Sequence, residues 1–397
     1  PGGKAILFTV KTLKTTTFDD AQIAVQPLDG GPHRIVAEGG SAPVYVSSGH
    51  IIFARANSLL AMPFNLQTLQ PAGSAITILE GVSWRPSTGA AQYAVSSSGS
   101  LAYVAGAAEQ QDQTLVWVDR NGAVTPIPIP PQHYRAISVS PDGKYIAASI
   151  TAANDDIWIA DPIRGTLTRL TAQTGNNQVP IWTHDGKRVL FLTDRGGVYW
   201  KPADGAGDDE PFAPQAANPD SVSPDGRLFV YTTTDPKSNS DLWLQPVHPN
   251  ATPQPLVRSP FNEHEGVVSP DGRWISYTSD ESGRDEIYVQ SFPRPGHKVR
   301  VSAEGGRNAR WAHNGRELFY RNGNKMMLVP YALSPGFTPR QPRMLFEGRF
   351  LDGRTYGLSA DDQRFVMVQL RQTDAAPRQL VIVVNWMDEL NRRLQGK

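Results

Sequence analysis

An all-β chain folded as a single β-propeller of four-stranded antiparallel blades is what the sequence predicts. Three observations predict it: a recurring turn tetrapeptide, short β-rich runs between its copies, and an abundance of turn formers without any cysteine. Ser-Pro-Asp-Gly stands at Ser140–Gly143, Ser223–Gly226 and Ser269–Gly272, and degenerate copies fill the gaps. These are Thr183-His184-Asp185-Gly186, Ala312-His313-Asn314-Gly315, Ser359-Ala360-Asp361-Asp362, Ser97-Ser98-Gly99, Ser47-Ser48-Gly49 and Pro1-Gly2-Gly3. Successive copies lie roughly 40–50 residues apart, the period of propeller blades.

The copy from Arg135 to Thr171 shows the unit. A run Ala136-Ile137-Ser138-Val139 meets the Pro141-Asp142-Gly143 turn and continues as Lys144–Ser149. After the break at Asn154-Asp155 comes Ile157-Trp158-Ile159, and beyond the Pro162–Gly165 turn the unit closes with Thr168–Thr171. Proline presets φ, aspartate bonds its own backbone locally and glycine accepts positive φ, so the tetrapeptide is a turn device and its Asp is structural.

The third runs, Leu115–Val118, Ile157–Ile159, Val198–Trp200, Leu242–Leu244 and Ile287–Val289, are apolar without alternation, as suits strands covered on both faces. A lone blade leaves one apolar face wet, and radial stacking covers it. The Trp and Tyr residues of these runs therefore read as packing anchors.

Complete units begin near Ala42, Ala91, Arg135, Gln178, Pro219, Glu265 and Asn308, with partial units at both ends. Strands near Ile6–Val10, Ile23–Leu28 and Arg34–Ala37 are expected to meet Tyr356–Ser359, Phe365–Leu370 and Gln379–Val384 and complete one blade, which removes an exposed edge. Eight blades are expected, with seven as the alternative. Residues 1–385 then form the propeller. Residues 386–397 form a short amphipathic helix packed on it, capped by Asn385 and carrying Trp386, Leu390 and Leu394 on one side. An opening at Pro1, inside a repeat and without Met, reads as a fragment or processed form.

Composition sets limits. The 397 residues hold 38 basic and 38 acidic side chains, so no global field attracts nucleic acid or an anionic membrane. Without cysteine there is no disulfide, zinc thiolate or thiol nucleophile. No run approaches the roughly 20 apolar residues of a membrane span.

The turns, together with Asp156-Ile157-Trp158 and Asp241-Leu242-Trp243, resemble TolB-like propeller repeats over nearly the whole chain. The stretch from Asp235-Pro236-Lys237 through Pro260-Phe261-Asn262-Glu263, Gly272-Arg273-Trp274 and Glu281-Ser282-Gly283-Arg284, and the ending Val383-Val384-Asn385-Trp386, resemble the C-terminal region of bacterial receptor-type Ser/Thr protein kinases. That resemblance implies an extracytoplasmic, periplasmic sensor or interaction region following a kinase domain and a membrane helix. The chain itself carries no Gly-rich nucleotide loop, His-Arg-Asp or Asp-Phe-Gly.

Catalytic patterns are missing at the level of sequence. No serine sits in Gly-x-Ser-x-Gly, and His264-Glu265 lacks the second histidine of a zincin. His184 and His313 replace the turn proline and read as turn residues. No catalytic residue, metal or cofactor is assigned, and the expected role is a non-catalytic scaffold binding a protein, peptide or small ligand at its funnel. The rival is a lyase- or glycosidase-type propeller enzyme built from several blades. Funnel loops joining one blade to the next concentrate recognition. The candidates there are Trp84, Arg85, His133, Tyr134, Arg135, Asn177, Asn262, His264, Arg307, Asn308, Arg354 and Tyr356.

Overall fold

The computed structural model describes residues 3–11, 18–85, 89–106, 113–152, 154–173, 175–214, 216, 218–235, 239–248, 251–294, 296–334, 336–370 and 379–395. The chain divides into two compact units, Pro1–Gln111 with Gln372–Lys397, and Asp112–Arg371, so residues 1–385 are shared between them.

The second unit is a propeller of six sheets. The first sheet is made from both ends of the unit: Val124–Pro126, Gln113–Asp119, Arg364–Leu370 and Tyr356–Leu358, in that spatial order. Sheets two to five are four-stranded meanders whose innermost strands are Tyr134–Val139, Asn177–Trp182, Asn218–Val222 and Glu263–Val268. The sixth starts at Arg307–Trp311, and both Thr338–Pro339 and Arg343–Glu347 pair with its strand Lys325–Ala332.

Buried clusters join each sheet to the next and the last to the first. Leu115 and Val366 pack with Ile137, Ala147 with Trp182 and Phe191, and Leu190 and Phe212 with Phe229. Val230 meets Ile275, Ile287 meets Leu318, and Phe319 meets Val116 and Phe365, which closes the ring. The apolar third strands are packing anchors because each sheet is sandwiched between two others.

The first unit holds a sheet of Ala5–Val10, Gln22–Pro27 and Arg34–Glu38, and a second of Ser41–Val46, His50–Arg55 and Ser58–Asn65 with two short outer strands. It also holds a small pair, Trp84–Arg85 with Ala90–Ala91, and a sheet of Tyr93–Val95, Leu101–Ala105 and Gln379–Val383. The helix Trp386–Gln395 buries Trp386 and Leu390 against Val82, Trp84 and Leu101, as its spacing predicts. The side chain of Leu394 lies outside the described residues.

Two expectations change. The count of eight or seven blades is not confirmed, since six sheets make up the propeller of the second unit. The C-terminal strands do not complete the N-terminal sheet: Arg364–Leu370 pairs with Gln113–Asp119, and Gln379–Val383 pairs with Leu101–Ala105. The repeat period counts turns, but it does not record which edge a returning strand joins.

Candidate functional site: the channel of the second unit

Each innermost strand of the second unit ends in the recurring turn, and the turn builds itself from its own side chains. Ser140 Oγ donates to Asp142 Oδ1 at 2.6 Å, while the amides of Lys144 and Tyr145 donate to Asp142 Oδ1 and Ser140 Oγ at 3.1 and 2.9 Å. The same pattern repeats from Thr183, Ser223, Ser269 and Ser359. The glycine of the tetrapeptide takes the left-handed conformation, with φ of 71° at both Gly143 and Gly272. The hydroxyl bonds hold the Asp142, Asp185, Asp225 and Asp361 carboxyls below their ordinary value.

The sixth turn differs. Ala312 has no hydroxyl, and the neighbouring turn reaches across instead. Asp362 stands where the repeat has glycine and keeps φ at 58°. Its carboxylate accepts the amides of His313 and Asn314 at 2.9 and 3.0 Å and faces His313 Nδ1 at 2.7 Å. This clasp lies at the seam where the ring closes.

At the other end the innermost strands are irregular. Register shifts interrupt the pairing at Tyr134/Ala136, Gln178/Ile181, Pro219/Ser221, His264/Val267 and Arg307/Arg310. These are β-bulges, which re-aim side chains. Val179, Glu265 and Asn308 adopt φ of 51°, 61° and 55° there, an unfavourable region for side chains with a Cβ.

Between these ends runs a cavity of about 460 Å³ lined by the innermost strands of all six sheets. At the turn end its lining includes Pro141, His184, Pro224, Pro270 and His313. At the bulge end lie Asp220, Arg310, Arg354 and Tyr356.

The charges at that end are mostly locked. Asp220, whose side chain is 0% exposed, accepts from Arg354 Nη2 and from Thr232 Oγ1 at 2.7 Å. Arg354 also donates to the Pro219 carbonyl at 2.5 Å. Burial pushes the Asp220 carboxyl upward, against the pull of Arg354 and Thr232. Glu265 Oε2 accepts from the Asn308 amide at 2.9 Å and Thr278 Oγ1 at 3.0 Å, with His264 Nδ1 at 3.7 Å. Burial acts to raise this carboxyl, but Arg354, His264 and the hydrogen bonds together hold it below its usual value. Tyr356 donates to the Asn308 carbonyl, and burial pushes its phenol upward.

The candidates read from sequence divide. Arg354 and Tyr356 line the cavity, while Asn308 and His264 support its base through the Tyr356 and Glu265 contacts. The remainder whose side chains are described belong to the framework. Trp84 is core of the first unit, and the Arg85 side chain lies outside the described residues. His133 accepts the Thr151 amide through its carbonyl, Tyr134 is buried core, and Arg135 pairs with Asp155 at 2.9 Å. Asn177 is buried beside Asp156 and Arg195. Asn262 bridges to Asp280 at 2.6 Å, and Arg307 pairs with Asp285. His184 and His313, read as turn residues only, line the cavity as well.

Sequence reasoning missed Asp220, Glu265 and Arg310. A signal existed for the last. Two residues before each turn stand Ser138, Ile181, Ser221, Val267, Arg310 and Gly357, all lining the cavity, and only one of them is charged.

No family model matches the chain, and no curated protein matches it. Among solved structures, the putative TolB from Agrobacterium tumefaciens is similar, with 16% identity, 66% of this chain and 99% of that chain covered, and a TM-score of 0.52. TolB from Acinetobacter baumannii (17% identity, 78% and 67% covered, TM-score 0.38) and the tricorn protease (14% identity, 96% and 43% covered, TM-score 0.42) superpose too loosely to carry an argument. The likeness establishes a TolB-like β-propeller fold. No helix among the described residues is long and apolar enough to cross a membrane.

Proposed function

We propose that the second unit is a non-catalytic recognition module that receives a protein segment, peptide or small ligand in its channel. The observation that carries this reading is the 460 Å³ cavity on which all six sheets converge. Its volume falls within the range of roughly 300–1,000 Å³ typical of ligand pockets. Against catalysis stands the bonding of Asp220, the one carboxylate lining the cavity among the described residues, whose oxygens are both occupied.

Ser138 faces the cavity without a side-chain hydrogen bond among the described residues, so Ser138→Trp offers a plug. Ligands found by fragment or peptide screening should lose binding to this variant while its melting midpoint stays near that of the parent. Undiminished binding to the plugged protein would reject the channel as the site.

The receptor-kinase resemblance supports a finer reading, an extracytoplasmic sensor region of a bacterial Ser/Thr kinase. Its support is the run from Asp235 to Arg284 and the Val383–Trp386 ending. The natural reading frame around this sequence should then encode a kinase domain and a membrane helix upstream, and a frame without them removes that assignment.

A further inference from the structure

Arg310 is the one cavity-lining cation that the described residues leave largely unmatched. Arg354 is spoken for by Asp220 and the Pro219 carbonyl, and Glu265 is held by the Asn308 amide and Thr278. Among the described residues Arg310 donates a single side-chain hydrogen bond, from Nη1 to the carbonyl of Ala309 at 3.0 Å. Its guanidinium lies 5.7 Å from the centroid of the Tyr356 ring, a contact that occupies none of its N–H donors, and no hydrogen bond from Nε or Nη2 is formed among the described residues. Among the described residues no carboxylate comes within salt-bridge distance of it, and its unbonded nitrogens are not sealed from the cavity. Burial pulls its pKa down, and Tyr356, Glu265 and Asp220 offset this only in part.

On the bulge side Arg310 has the locked pair Asp220 and Arg354 and the Tyr356 ring, whereas on the turn side its neighbours in the channel are small or apolar. The layer that holds Arg310 is otherwise Ser138, Ile181, Ser221, Val267 and Gly357. Gly357 sits against Val139 so closely that a Cβ there would meet Val139 Cγ2 at 2.6 Å. One step toward the turns, the lining is Val139, Val222, Val268 and Leu358 with Trp182 and Trp311. A ligand entering past the proline and histidine rim crosses an apolar sleeve before it reaches one guanidinium fork. A planar fork of N–H donors matches a carboxylate in two-point geometry.

Resting on the recognition reading above, we propose that the channel selects ligands with an apolar body and a carboxylate at the leading end, received by Arg310. An aliphatic acid and the C-terminus of an apolar peptide share this chemistry.

Calorimetric titration of the full chain tests it with two matched pairs, octanoate against octanol, and acetyl-Leu-Leu-Val with a free carboxylate against its amide. At least one acid should bind at least tenfold more tightly than its uncharged twin, and the tighter acid identifies the source. Arg310→Met should abolish that preference. Arg310→Lys, which keeps the charge but loses the fork, should retain it at reduced affinity and serves as the control if the Met variant fails to fold. Equal binding of acids and twins, no binding of either acid at millimolar concentration, or a preference that survives Arg310→Met would overturn the proposal. Neutral ligands that bind the parent but not Ser138→Trp would overturn it while leaving the recognition reading in place.

Discussion

The two ends of the innermost strands in the second unit obey opposite rules. At the turn end, five of the six turns repeat one hydroxyl-to-aspartate bond, at 2.5–2.6 Å, and put a residue at positive φ. At the bulge end the backbone break recurs, with positive φ at Val179, Glu265 and Asn308, but the side chains do not: Asp220 is buried against Arg354, Glu265 caps the Asn308 amide, and Val179 does neither. The regular end makes the sheet, and the irregular end makes the chemistry of the channel. Repetition suits a local device that needs only six consecutive residues, whereas a site needs groups brought from different sheets.

The contrast breaks most severely at the buried pair. Arg354→Met leaves Asp220 charged and unpaired, which should cost about 3–5 kcal/mol in urea unfolding. Adding Asp220→Asn should recover much of the loss. A loss below about 1 kcal/mol would show that the irregular end is not held by this pair.

The seam turn sharpens it. Restoring the repeat's glycine with Asp362→Gly relieves a strained φ but removes the acceptor of two backbone amides and the partner of His313. The clasp should win, with a net destabilisation of about 1 kcal/mol. A rise in the thermal midpoint would mean that the aspartate is incidental.

Among the regular turns, Gly272→Ala meets little but its own φ of 71°, since the nearest atom to a new Cβ is Pro224 Cδ at 4.0 Å. It should cost about 1 kcal/mol. Gly143→Ala should cost more, because its Cβ also comes to 2.9 Å from Ala360 Cβ. Equal melting points for both variants and the parent would refute the turn geometry.

The smallest effect is pH dependence. The turn aspartates are held below their unfolded pKa, so they contribute stability above that value, near 4, and lose it as pH falls through their folded values. Unfolding free energy should fall as the pH drops from 5 to 3. Ser223→Ala removes the leading cause of the shift at Asp225 and should make that decline shallower. An unchanged slope would detach the shift from the hydroxyl.

Much of the fold was legible because its signals are short-range. Ser-Pro-Asp-Gly prescribes a turn from within, the runs beside it prescribe strands, and Trp386 with Leu390 prescribes one side of a helix. The site was legible only in part. Arg354 and Tyr356 stand out by their place at the entry to an innermost strand, yet Arg354 is tied to Asp220, and Arg310 beside Trp311 carries no such mark.

By itself the sequence determined a repeating, four-stranded, all-β architecture, since hairpin turns and strand burial depend on residues close together in the chain. Only the tertiary structure decided that Gln113–Asp119 pairs with Arg364–Leu370, that six sheets close one ring, and that Arg310 lines a cavity with no carboxylate partner among the described residues. Those outcomes depend on which groups meet across a hundred residues or more, and no local propensity encodes such a meeting.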